Sequence, residues 1–119
     1  MSKDIINQMV RTDRKITLIG KNGQVEGQLV DLSLTEAGIL TKRGAREGTD
    51  LELVFEIPAL EDFITLHINA TVTHRHSSEN EIYLKLSFAH LNEMDGLALA
   101  DFVDYKTRLL KLGQHKYKY

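Results

Sequence analysis

Ile64, Leu66, Ile68, Ala70 and Val72 alternate with Thr65, His67, Asn69 and Thr71. After a polar interval at 77–80, Ile82, Leu84, Leu86 and Phe88 alternate with Tyr83, Lys85 and Ser87. Successive side chains of a strand point to opposite faces, so a period of two describes extended segments with one apolar and one wetted side. Such strands must close on one another, or on a second layer, to bury the apolar side. Leu51, Leu53 and Phe55 repeat the pattern around Glu52 and Glu56. Shorter strands are expected at 16–19, 25–32 and 38–41, separated by the turn Gly20-Lys21-Asn22-Gly23 and by a second turn at 44–48. Pro58 should end the fourth strand, having no N–H to give a ladder.

The period then changes. Met94, Ala98, Phe102, Tyr105, Leu109 and Leu112 recur every three or four residues, the stripe of an amphipathic helix. This stripe should meet the core, with Phe102 and Tyr105 at its centre, or form a partner surface if the strands cannot cover it. Asn92 is placed to cap the helix, with Asp95 at its third position and Gly113 at its end. Six short strands and one helix predict an all-β domain, a small antiparallel β-barrel with a C-terminal helix packed on it. The boundaries read as an N-terminal arm over 1–15, barrel and helix over 16–113, and a frayed tail over 114–119.

The 119 residues carry 15 Lys and Arg against 17 Asp and Glu and no Cys. A net charge of −2 gives no general attraction to nucleic acid, so no DNA or RNA partner is expected. The lack of Cys removes thiol catalysis and thiolate metal sites. No apolar run approaches the roughly 20 residues of a membrane span, and the N-terminus lacks the apolar stretch of a signal peptide. A cytoplasmic chain without direct membrane insertion is expected.

Asp31-Leu32-Ser33 places a carboxylate and a hydroxyl two residues apart at the end of an apolar strand, with Arg11, Arg14 and Lys15 ahead of it. On one strand face, such a pair can read a polar ring edge while guanidinium groups hold phosphates, as guanine-nucleotide recognition requires. The same acid and hydroxyl can instead bond nearby amides and cap a turn, and the basic cluster can be a solvated charge run. His74-Arg75-His76 puts two imidazoles on one strand face without an identifiable third ligand, which reads as a polar strand end rather than a metal site. Lys42, Arg43 and Arg46 form a basic loop that reads equally as a solvated turn or as part of a positive patch. No Ser-His-Asp order, no glycine-rich phosphate loop and no metal cluster stands out, so an enzyme is not expected.

Over nearly its whole length the chain resembles the PilZ domain family of bacterial cyclic di-GMP receptors. The family's strand-end motif is Asp/Asn-x-Ser-x-x-Gly, matched here by Asp31-Leu32-Ser33-Leu34-Thr35-Glu36 followed by Ala37-Gly38-Ile39-Leu40. Its arm motif is Arg-x-x-x-Arg, matched by Arg11-Thr12-Asp13-Arg14-Lys15 either as Arg-x-x-x-Lys or as Arg-x-x-Arg with one residue too few. The run from Glu81 to Leu91 is similar to the family's last strand and helix entry. The resemblance implies a six-stranded split barrel with a C-terminal helix and a non-enzymatic adaptor with cyclic di-GMP as ligand and no cofactor. Arg11, Arg14 and Lys15 would hold the phosphates and Asp31 and Ser33 would read the base edge. Binding would draw the arm onto the barrel and present a surface to a motility, pilus or biofilm partner. Glu36, where the family has glycine, and Lys15, in place of the second arginine, favour a second reading: a degenerate member that binds no nucleotide and serves as a protein-interaction module.

Overall fold

The computed structural model describes residues 8–116, with side chains through Leu112. Six strands run in the order β1 (Val10–Gly20), β2 (Gly23–Leu32), β3 (Glu36–Thr41), β4 (Asp50–Ala59), β5 (Asp62–Ser77) and β6 (Ile82–Phe88), and one helix, α1 (Glu93–Lys116), follows. They close into an antiparallel barrel with neighbours β1-β2-β3-β6-β5-β4, sealed by pairing of β4 with β1. Closure gives every strand a neighbour on both sides, although β1 meets β4 only over Ile16–Ile19 and β6 meets β5 only from Ala70 onward. Alternate residues such as Ile16 and Leu18, Leu53 and Phe55, and Leu84 and Leu86 fill the interior. Among the described residues no helix is long and apolar enough to cross a membrane.

The expected architecture is observed, but β1 starts earlier than the alternation indicated. Val10 pairs with Leu32 and Arg11 with Asp31, so residues 10–15 are barrel strand rather than arm. Charges hid it: Arg11, Asp13 and Lys15 occupy exposed positions, and among the described residues before Ile16 only Val10 is buried. Residues 1–7 of the expected arm lie outside the described residues. At the other end α1 passes through Gly113 and continues to Lys116, so Gly113 does not terminate it and the expected tail begins inside the helix.

Pro58 does not end β4, which turns directly into β5 through Leu60 and Glu61. In this two-residue hairpin Ala59 pairs with Asp62 and Pro58 with Phe63. Ala59–Asp62 is the hydrogen-bonded pair that closes the loop, so the nitrogen of Pro58 faces away from β5. β1 pairs with β4 only over Glu52–Phe55, so no ladder donor is lost at Pro58 and proline is tolerated there. Both loop residues have positive φ, 55° at Leu60 and 64° at Glu61, the type I′ geometry that Asn-Gly adopts most easily. Asp101 of α1 holds the turn by accepting the Leu60 N–H at 2.8 Å. Leu60→Asn with Glu61→Gly is therefore expected to raise the unfolding free energy by about 1–2 kcal/mol in urea denaturation, relieving two left-handed side-chain residues.

At the helix start Asn92 Oδ1 accepts the Asp95 N–H at 2.7 Å, as the sequence indicated. The buried face differs from the expected stripe. Ala98, Leu99, Phe102 and Val103 pack into the core, with α1 against β4 and β1, while Met94, Tyr105, Leu109 and Leu112 are exposed. Apolar residues occupy two sides of this helix, and only the position of the barrel selects one.

Candidate functional site

Two irregularities shape one flank of the barrel. The β1–β2 register shifts between Arg11 and Arg14, and the β2–β3 register shifts between Leu29 and Asp31. Leu29 and Leu32 are both buried although three residues apart, so the bulge turns Asp31 outward before the chain returns to the core. Asp31 keeps 26% of its side chain exposed, and the Arg11 Nε lies 4.0 Å from its Oδ1 across the β1–β2 pair. The Arg11 side chain is 92% exposed and free to reorient.

Asp31 Oδ2 also accepts the hydroxyl of Tyr83 on β6 at 3.0 Å. That phenol crosses over Gly38 of β3. A Cβ there would stand 2.2 Å from the Tyr83 oxygen and 2.9 Å from Asp31 Oδ2, so glycine is what lets the two groups meet. Beside them Lys85 Nζ lies 3.6 Å from Glu36 Oε1. Glu36 occupies the first position of β3, and Leu60 and Glu61 are the non-glycine residues with positive φ among those described. Glu36 thus imposes no left-handed strain, and its charge is met by Lys85.

The five residues singled out from the sequence do not converge. Arg11 and Lys15 are exposed on β1, the former beside Asp31. Arg14 lies opposite the buried Leu29, and its Nε donates to the Glu56 carbonyl of β4. Ser33 is not on a strand face with Asp31, because β2 ends at Leu32. It is 1% exposed, and its Oγ accepts the N–H groups of Thr35 at 3.1 Å and Glu36 at 3.0 Å. Ser33 therefore holds the turn that sets the height of Glu36 and Gly38. Tyr83, Lys85 and Gly38 went unrecognised as a group in the sequence. The outward alternation of Tyr83 and Lys85 was visible, but their neighbours appear only once β3 pairs with β6, placing Gly38 opposite Lys85.

The two histidines of His74-Arg75-His76 are exposed on β5 and do not continue its apolar side, because the β5–β6 register shifts between Val72 and His74. Among the described residues no three metal-ligating side chains gather.

Burial, and then the bond to Asp31, push the Tyr83 phenol up to about 12. Below pH 10 the phenol is neutral in both folded and unfolded chains; above it, the unfolded chain ionises first. Stability is therefore expected to fall as pH rises from 10 towards 12. Ultraviolet titration should show a late-ionising tyrosine in the wild type that is lost in Tyr83→Phe.

A closed antiparallel barrel with an open outer flank of paired cationic and acidic groups is a binding module in architecture. The chain belongs to the PilZ domain family, whose model matches residues 8–105. The Bacillus subtilis inhibitor of motility (MotI/DgrA) is similar with a TM-score of 0.73 and 16% identity, over 88% of this chain and 52% of its own. Escherichia coli YcgR in complex with c-di-GMP gives 0.74 and 14%, over 92% and 49%. The PilZ domain with c-di-GMP of YcgR from E. coli gives 0.71 and 13%, over 92% and 95%. The chain thus spans about half the length of the first two, and at these identities the likeness is one of fold. No curated protein matches it in sequence.

Proposed function

We propose that this chain is a non-enzymatic cyclic di-GMP receptor of the PilZ type, an adaptor that couples nucleotide binding to a protein partner in motility, pilus or biofilm control in the cytoplasm. The observation that carries this reading is the Arg11–Asp31 juxtaposition on the outer barrel flank, beside the Tyr83 ring. A guanine edge offers N–H donors that a carboxylate accepts, while a guanidinium serves phosphate or the ring's acceptor edge. Asp31 reads the base, Arg11 and Lys15 hold phosphate, and Arg14 joins them once it leaves the Glu56 carbonyl. Ser33 contributes through the turn it caps. Family membership and the presence of c-di-GMP complexes among the structural neighbours support the ligand class.

A second reading, a PilZ-like interaction module that binds no nucleotide, is favoured by Glu36 in the motif's glycine position and by the engagement of Arg14. Calorimetric titration of the whole chain with cyclic di-GMP separates the two. The receptor reading expects saturable binding, weakened at least tenfold in Arg11→Ala. Absence of binding by the wild type would overturn it and leave the interaction module.

A further inference from the structure

The second half of α1 runs past the barrel, and every residue from 108 to 112 is exposed. Met94, Leu97, Tyr105 and Leu112 are exposed as well. With Asp101 between them, they fall along one line of the helix, about a third of a turn from the buried row of Ala98, Leu99, Phe102 and Val103. Phe63 extends this apolar line from the β4–β5 turn, across an open groove of about 520 Å³ that Tyr105 and Arg108 also line. The helix is electrically polarised: Glu93, Asp95, Asp101 and Asp104 lie in its first half, and Lys106, Arg108 and Lys111 in its second.

We propose that this stripe is the contact for a second copy of the chain, with the two α1 helices antiparallel about a two-fold axis level with Val103. That register sets Met94 against Leu112 of the partner subunit and Leu97 against the aliphatic stem of the partner's Arg108. Asp101, whose Oδ2 is fixed by the Leu60 N–H, faces the hydroxyl of the partner's Tyr105. Glu93 lies beside Lys111 of the partner subunit. Antiparallel packing brings each acidic half onto a basic half, whereas parallel packing would stack like charges. The patch is complementary to itself, so the assembly closes at two copies.

Sedimentation equilibrium of the whole chain without nucleotide, across a micromolar to submillimolar series, tests this independently of the receptor reading. The wild type should approach twice the mass of one chain as concentration rises. Met94→Glu and Leu112→Glu should remain single chains, whereas Leu110→Glu, exposed but off the stripe, should dimerise as the wild type does. Glu93→Lys and Lys111→Glu should each weaken association at least tenfold, and the double variant should recover to within threefold of wild type. Circular dichroism confirms that each variant is folded. A single-chain mass for the wild type at every concentration, a disruptive Leu110→Glu, or a double variant no better than the singles would overturn the proposal.

Discussion

Phe102→Ala is expected to lower the unfolding free energy by about 3–5 kcal/mol, the range for emptying a buried aromatic site. That is a large part of the 5–15 kcal/mol by which an ordinary domain is stable. Phe102 is among the largest fully buried side chains and sits on the face by which α1 meets β4 and β1. Its neighbours on that face are Ala98, Leu99 and Val103, of which alanine and valine are too small to collapse into the space it would leave. The damage should spread, because the same helix carries Asp101, which holds the strained Leu60–Glu61 turn. The gain in helix propensity on going from phenylalanine to alanine is about 0.5 kcal/mol and offsets little. Urea denaturation followed by far-ultraviolet circular dichroism measures the loss, with Leu110→Ala, at an exposed position, expected to stay within about 0.5 kcal/mol of wild type. A loss below 1 kcal/mol for Phe102→Ala would mean that α1 is not docked through this face.

The barrel was legible because its longest strands state their period without interruption. Ile64 to Val72 and Ile82 to Phe88 each present five or four apolar residues to one side, and the structure pairs them through Ala70–Phe88 and Val72–Leu86. β1 was not, since its first half is a strand by pairing alone: Arg11 and Lys15 have backbone partners in Asp31 and Gln28, while their side chains carry no apolar signature. The helix was legible as a helix and ambiguous in its orientation. Phe102 and Tyr105 share an apolar surface on a helical wheel, yet the barrel buries the first and leaves the second outside.

The candidate site was legible in composition and misread in geometry. Two residues along a regular strand Asp31 and Ser33 would share a face, but Leu29 and Leu32 are both core residues, and a spacing of three between them cannot fit an unbroken period of two. That irregularity was present in the sequence and marks the bulge. The partnership of Asp31 with Tyr83 spans 52 residues and depends on β3 and β6 being neighbours, which no local pattern states. The glycine requirement likewise falls on Gly38, through the close approach of Tyr83, while Glu36 sits in ordinary strand backbone.

Asp31→Ala is expected to weaken cyclic di-GMP binding about 10- to 100-fold, and this is the variant on which the receptor reading is most exposed. A carboxylate that accepts from a guanine edge contributes about 1–3 kcal/mol of recognition, and each 1.4 kcal/mol is a factor of ten. The same substitution removes the acceptor of the Tyr83 hydroxyl, at a folding cost of about 1 kcal/mol, so the variant should remain folded and the affinity loss be read cleanly. Tyr83→Phe separates the carboxylate's two partners. It leaves Asp31 in place and removes the hydroxyl that competes for Oδ2, so its affinity should equal or exceed that of the wild type. Calorimetric titration of both variants reads the difference directly. Equal affinity in Asp31→Ala and wild type would move base recognition away from this carboxylate, whereas a loss in Tyr83→Phe as large as in Asp31→Ala would show that the Tyr83 hydroxyl, and not the acid alone, forms the ligand's seat.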